Sequence, residues 1–365
     1  MSESDPTPQS QPHSSPQSQP HPTPQSQPPT SQRSQPNQHS QQKLIAEVAV
    51  IGGGAGGLAA SIALARSLRS VIVIDAGSPR NAASAHAHNV LGHEGVNPLD
   101  LLAKGRQEAE AYGVQFIDAT VLGANSRTQA PETPGFDLET SVGISIEAKR
   151  IVIATGLTDV LPDIPGLADG WGDTVLHCPY CHGYEVRGQN IGIIGTTAMS
   201  YHQAMMFSQL SDRVTFLRHN APAPDEAQRR MLGSLGIAFV DAAVETVERT
   251  EAGTVVTLRD NDNDSEATRS DADSSPSDMT FDALAVGPYF RANGQIFEQL
   301  GGTVVDHPTG MGSSIPAEAN GATDVPGVWV VGNSADISAM VVASAASGVL
   351  VGAQVNAELI MSSVS

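Results

Sequence analysis

Residues 47–68 read EVAVIGGGAGGLAASIALARSL, and this run restricts the fold more than any other feature of the chain. Four apolar residues lead into a glycine turn, and an Ala/Leu-rich helix pattern follows. Gly52, Gly54 and Gly57 stand in a Gly-x-Gly-x-x-Gly arrangement. The first glycine permits the tight turn, the second lets a pyrophosphate approach the backbone, and the third lets helix and strand pack closely. The helix N-terminus then offers free N–H groups to phosphate. A second apolar strand, SVIVIDAG, ends in Asp75, placed to accept from ribose hydroxyls. An Asp there, with no Arg, suits an adenosine without a 2′-phosphate, so the spacing predicts a bound FAD or NAD.

The strand–turn–helix form recurs about 140 residues later in QNIGIIGTTAMSYHQAMMFSQLSD, with RVTFLRH as the next strand. RIVIATG (residues 150–156) is a short strand ending in Thr155 and Gly156, and GVWVVGN leads into a small-residue helix, SAMVVASAASGVLVGAQVNAELI. Alternating strands and helices indicate parallel sheets. The expected fold class is α/β, with two Rossmann-like three-layer domains and the first of them discontinuous. The expected boundaries are 43–157 and 286–365 for the first domain, and 158–285 for the second.

Two segments stand outside this pattern. Residues 1–42 contain 11 Gln, 10 Pro and 10 Ser, too little apolar surface to offset ordering entropy, and are expected to be a disordered tail. They contain no apolar stretch of the secretory type. Residues 259–278 hold 7 acids and 2 Arg between two strand patterns and are expected to form an acidic flexible loop. The formal net charge of −20 opposes binding to nucleic acid, and no run suits a membrane span. The expectation is therefore a cytoplasmic protein with no nucleic-acid or membrane partner.

The chain has only two cysteines, Cys178 and Cys181, in HCPYCHGYE. Two intervening residues in a helical turn bring both sulfurs together, as in a reversible disulfide. His177 and His182 adjoin the pair, and an imidazole can move a proton near neutral pH. Other readings of the motif are c-type haem attachment, a zinc site, a thioredoxin fold and two inert buried thiols. Export is not indicated, four converging zinc ligands are not evident, and a Rossmann-like strand follows at once. No metal is expected.

Taken in order, these motifs resemble the low-molecular-weight thioredoxin reductases of the flavin pyridine-nucleotide disulfide oxidoreductases, over residues 43–365 except the acidic loop. The resemblance implies FAD as cofactor and a homodimer. It implies that Cys181 faces the flavin C4a while Cys178 exchanges with the substrate disulfide. It assigns cofactor contacts to Ala55, Ala76, Arg80, His88, Asn89, Thr155, Gly156, Gly332, Asn333, Val341 and Val342, beside the fingerprint residues Gly52, Gly54, Gly57 and Asp75.

Two departures from the family pattern shape the functional expectation. His182 stands where those reductases carry an Asp acid. This is similar to the gliotoxin-oxidase and holomycin-oxidase branch, as is RNAASAHAHNVLGHEG (residues 80–95). Asn333 likewise replaces the usual Asp of the last strand, with Asp336 near enough to share its task. The second departure is the second turn, which has Gly195, Thr197 and Ser200 at the motif positions and no arginine pair for a 2′-phosphate, only Arg213 and Arg218 nearby. NADPH use is thereby uncertain. The expected function is FAD-dependent oxidation of a small dithiol by Cys178, Cys181 and His182, with oxygen as acceptor. Reduction of a thioredoxin-like protein by NADPH is the alternative, and a flavin-binding redox sensor is a third reading.

Overall fold

The computed structural model describes residues 43–127, 134–261 and 278–364. The tail 1–42 and most of the acidic segment lie outside the described residues. At the edges of that segment, the strand Gly253–Asp260 takes in two residues expected in the loop, and pairing resumes at Met279.

The first sheet has seven strands. Gln115–Asp118, Val71–Asp75, Lys43–Ile51, Ser145–Ile153 and Val328–Val330 pair in parallel, while Phe136–Thr140 and Val121–Ser126 continue as an antiparallel meander. Ser145–Ile153 is longer than the short RIVIATG strand expected, because its first half pairs with the meander. The apolar runs are continuous because both faces are covered. Val48, Val50, Val71 and Val73 pack on one face with Leu64, Val351 and Leu359. Ile51, Ile72, Ile74 and Ile151 fill the other.

Two helices cross closely on the first of these faces, Ala55–Arg66 and Val341–Met361. A side chain at Gly348 would come within 2.1 Å of the Gly56 carbonyl, so the small-residue sequence sets the approach. The long helix begins at Val341 rather than Ser338, since the Asp336 carboxylate accepts from the Ser338 N–H and hydroxyl and holds a turn there.

The second sheet has five parallel strands in the order Ala238–Val240, Val214–Leu217, Ile191–Ile194, Ala283–Val286, Val175–Leu176. Its helix Ser200–Phe207 puts Tyr201, Ala204 and Phe207 against Ile191, Ile193 and Phe216. The chain passes between the two sheets through an antiparallel pair, Leu157–Val160 with Tyr289–Ala292. Among the described residues no helix is long and apolar enough to cross a membrane.

Candidate functional site

A cavity of about 1410 Å³ runs from the first glycine turn to the cysteine pair. Its size exceeds the roughly 300–1,000 Å³ of common small-molecule pockets and suits a dinucleotide with further room beside it.

The glycine turn is held by contacts that only glycines permit. Gly52 has φ of +110°, and a side chain there would meet the Ala154 carbonyl at 2.3 Å. A side chain at Gly57 would come within 2.0 Å of the Gly52 oxygen. Gly57 therefore packs helix on strand and does not line the cavity. Gly54, which precedes the helix Ala55–Arg66, has nothing within 4 Å of where a Cβ would stand, and no side chain caps that helix. Its first turn carries no acid, leaving N–H groups for a phosphate. Gly53, outside the expected set, donates its N–H to Asp75 Oδ1 at 3.0 Å and so fixes that carboxylate at the cavity wall. These features fit the pyrophosphate and ribose of FAD. Ala55, Ala76, Thr155, Gly156, Gly332 and Val341 line the same cavity.

Arg80 also lines it, but its guanidinium is largely committed within the protein. Nε and Nη2 make a bidentate pair with Asp159 at 2.8 and 2.7 Å, Nη1 donates to Asn333 Oδ1 at 3.2 Å, and the group lies over the Phe290 ring. Asn333 is similarly engaged, because Nδ2 donates to the Asp336 and Ala339 carbonyls. The neutral amide suits this place because a carboxylate could not donate to those two oxygens. Asp336 is committed to Ser338 and does not share a ligand-facing task.

The segment 80–95 differs in part from expectation. His88 borders the cavity, with Nδ1 2.7 Å from Glu94 Oε1 and Nε2 3.5 Å from Glu185 Oε1. Asn89, at φ of 59°, does not line the cavity; its amide donates to the Tyr180 carbonyl at 2.8 Å and ties the loop to the cysteine motif. Val342 also lies off the cavity wall, one position round the helix from Val341.

Cys178 precedes the one-turn helix Pro179–His182, and Cys181 lies within it. Proline at the first position starts the turn without losing a hydrogen bond. The Cys178 thiol is pushed down to about 7, chiefly because Cys181 Sγ–H donates to its thiolate, with help from the Tyr180 and Cys181 N–H groups and the Arg80 charge. The proton accordingly resides on Cys181, whose pKa is raised by the same hydrogen bond and by burial. His182 sits at the end of the turn with Nε2 2.7 Å from Ser84 Oγ, and burial lowers its pKa. His177 lies edge-on to Phe290, 3.2 Å from the Val286 carbonyl through Nδ1, and burial lowers its pKa also. Among the described residues, no three metal-ligating side chains gather.

The second glycine turn is closed by its own side chains. Ser200 Oγ accepts the N–H of Thr196 at 3.0 Å and of Thr197 at 3.3 Å, and Ser200 is buried. Arg218, on the strand end where a 2′-phosphate partner belongs, is buried and paired with Asp241 at 2.5 Å. Beyond the turn, the helix Ser200–Phe207 presents His202, Gln203 and Met206 to the cavity, and Gln203 Nε2 donates to the His177 carbonyl at 2.7 Å.

Ser84, Asp159 and Gln203 were not expected at the site. Ser84 lies within the quoted segment 80–95, but nothing in its spacing marks it, and Asp159 and Gln203 become neighbours of the motif only through folding.

Comparison with known proteins agrees with this geometry. The pyridine nucleotide-disulphide oxidoreductase family model matches residues 46–348. The thioredoxin reductase tcpT of Claviceps purpurea is 34% identical over 215 residues, 57% of this chain and 63% of that relative. The match thus spans less than two thirds of that protein's length. The crystal structure of HlmI superposes with a TM-score of 0.77 at 35% identity, covering 87% of this chain and 94% of that one. The oxidoreductase from Agrobacterium tumefaciens gives 0.76 at 28% identity, covering 87% and 99%. With a fingerprint shaped for FAD and a paired thiol beside it, the chain belongs to the pyridine nucleotide-disulphide oxidoreductase family and is thioredoxin reductase-like.

Proposed function

We propose that this protein oxidises a small dithiol to its disulfide through Cys178 and Cys181, with oxygen as the final electron acceptor. FAD, held by the turn Gly52–Gly57 and by Asp75, supplies when bound the two-electron acceptor that reoxidises the cysteine pair and is itself reoxidised by oxygen.

The chain's own residues account for the thiol steps. A substrate thiolate attacks one sulfur of the Cys178–Cys181 disulfide and forms a mixed disulfide. The second substrate thiol, losing its proton, attacks the substrate sulfur of that mixed disulfide. The cyclic product leaves, and two electrons remain on the cysteine pair. Cys178 is suited to be the last leaving group because its thiolate is stabilised to a pKa of about 7. Cys181 retains a proton, which must leave before the pair gives up its electrons. His182, the next residue and neutral at ordinary pH, is the base for that proton.

The observation that carries the oxidase reading is the turn closed by Ser200. The Thr196 and Thr197 N–H groups that would meet a pyrophosphate already have an acceptor, and Arg218 is held by Asp241. This supports an enzyme that receives electrons from a dithiol rather than from NADPH. The name of the tcpT relative favours a second reading, NADPH-driven reduction of a thioredoxin-like protein.

Anaerobic mixing separates the two. A dithiol should bleach the flavin's visible absorbance and NADPH should not. Rapid bleaching by NADPH establishes the reductase reading instead, and bleaching by neither leaves a flavoprotein sensor. Cys181→Ser should keep bound FAD and lose dithiol bleaching; bleaching that survives would remove Cys181 from the proposed role.

A further inference from the structure

Ser84 belongs to the loop between the second strand and the helix Pro98–Ala111, and touches the cysteine motif at one point. Its Oγ lies 2.7 Å from His182 Nε2, 2.7 Å from the His86 carbonyl and 3.3 Å from the His86 N–H. A hydroxyl has one proton and two acceptor lone pairs. The Ser84 hydroxyl is within donating distance of the His86 carbonyl, which accepts from no other described group. The His86 N–H fills one lone pair. The remaining lone pair faces His182, which can meet it only by donating from Nε2. The ring proton is thereby fixed on Nε2, and the ring's own lone pair falls on Nδ1, which makes no hydrogen bond to a described residue.

We propose that Ser84 is a positioning residue that fixes the Nε2–H tautomer of His182 and so reserves Nδ1 as the base for the Cys181 proton. This rests on the dithiol-oxidase reading for its chemical purpose, though not for its geometry. In the step itself the Cys181 S–H bond breaks, its electron pair stays on sulfur, and a new N–H bond forms at His182 Nδ1. The product is an imidazolium and a thiolate on adjacent residues, a pair of opposite charges. Without Ser84 the ring is free to carry its proton on Nδ1, a form that cannot accept there.

Several charged or titratable groups surround the ring. Glu185 follows on the same segment and favours the imidazolium, while His86 and His88 on the Ser84 loop oppose it. Glu94 in turn holds His88. Cys181 stands on the ring's own helix, and Cys178 just before it. None of these fixes the tautomer, because none makes a hydrogen bond to the His182 ring.

The test is carried out on the full-length FAD-loaded protein with ¹⁵N-labelled histidine, and His182 is assigned by the signal lost in His182→Gln. The two-bond ¹H–¹⁵N pattern should show the Nε2–H form in the native protein and a mixture of tautomers in Ser84→Ala. Dithiol-driven kcat should fall about tenfold in Ser84→Ala with KM unchanged, a part of what a general base contributes. The acid limb of the kcat profile should move to lower pH, since the imidazolium loses an acceptor. Ser84→Thr should restore the tautomer, the rate and the profile. An Nδ1–H tautomer in the native protein, or an unchanged tautomer in Ser84→Ala, overturns the proposal. If Ser84→Ala does not fold, the native spectrum and Ser84→Thr still decide it. If no dithiol turns over, the oxidase reading falls while the tautomer measurement stands.

Discussion

Ser200 Oγ lies 3.0 Å from the backbone nitrogen of Thr196, inside a turn whose sequence position corresponds to a pyrophosphate site. A side chain of the protein thus occupies the acceptor role that a cofactor phosphate takes in the first turn. Removing it leaves the half-buried Thr196 N–H and the exposed Thr197 N–H without their side-chain acceptor. Ser200→Ala should lower stability by about 0.5–1.5 kcal/mol, the usual net contribution of a hydrogen bond whose donor can still reach water. It should not create NADPH bleaching, because Thr197 keeps its Cβ and Arg218 keeps its partner. Thermal unfolding and anaerobic NADPH titration check the two halves.

The two thiols should differ in reactivity with pH. Cys178, lowered from 9.0 to about 7, gains thiolate as pH rises through 7, and Cys181 does not. Alkylation of the reduced protein should therefore rise nearly tenfold per unit below pH 6 and level off above pH 8, with label on Cys178 first. Peptide mapping identifies the labelled residue. Arg80→Gln removes a cation that favours the thiolate, so the same profile should move to higher pH. Equal labelling of both cysteines at pH 7 contradicts the assignment.

Gly54 and Gly57 should respond in opposite ways to the same change. At Gly57 an added methyl meets the Gly52 oxygen at 2.0 Å, so Gly57→Ala displaces helix from strand. A loss of more than about 3 kcal/mol, or failure to fold, is expected. At Gly54 the methyl meets no protein atom. Gly54→Ala should fold normally and carry less FAD, since the methyl enters the space left for the pyrophosphate. Flavin content against circular dichroism compares them.

Asn333→Asp restores the residue usual in the resembling reductases but should not improve this protein. The carboxylate cannot donate to the Asp336 and Ala339 carbonyls, although it strengthens the contact with Arg80. A net destabilisation of about 1–2 kcal/mol is expected in thermal unfolding, from two unpaired carbonyls. A rise in melting temperature would show that the Arg80 contact outweighs them.

The linear chain by itself determined the strand–turn–helix units, the parallel sheets and the cysteine pair, because each depends on residues near one another in sequence. The requirement for glycine at 52 and 57 is likewise local, since a backbone turn either admits a Cβ or does not. The sequence also marked the second turn as departing from the dinucleotide pattern. What filled that turn was decided by folding, which brings the Ser200 hydroxyl back onto Thr196 and Thr197. Only the tertiary structure placed Arg80 between Asp159 and Asn333, residues 79 and 253 positions away. The same holds for Ser84 and His182, separated by 98 positions. Hydrogen bonds between distant residues leave no periodicity in sequence, so the proton's place on His182 became legible only when the loop and the cysteine turn met.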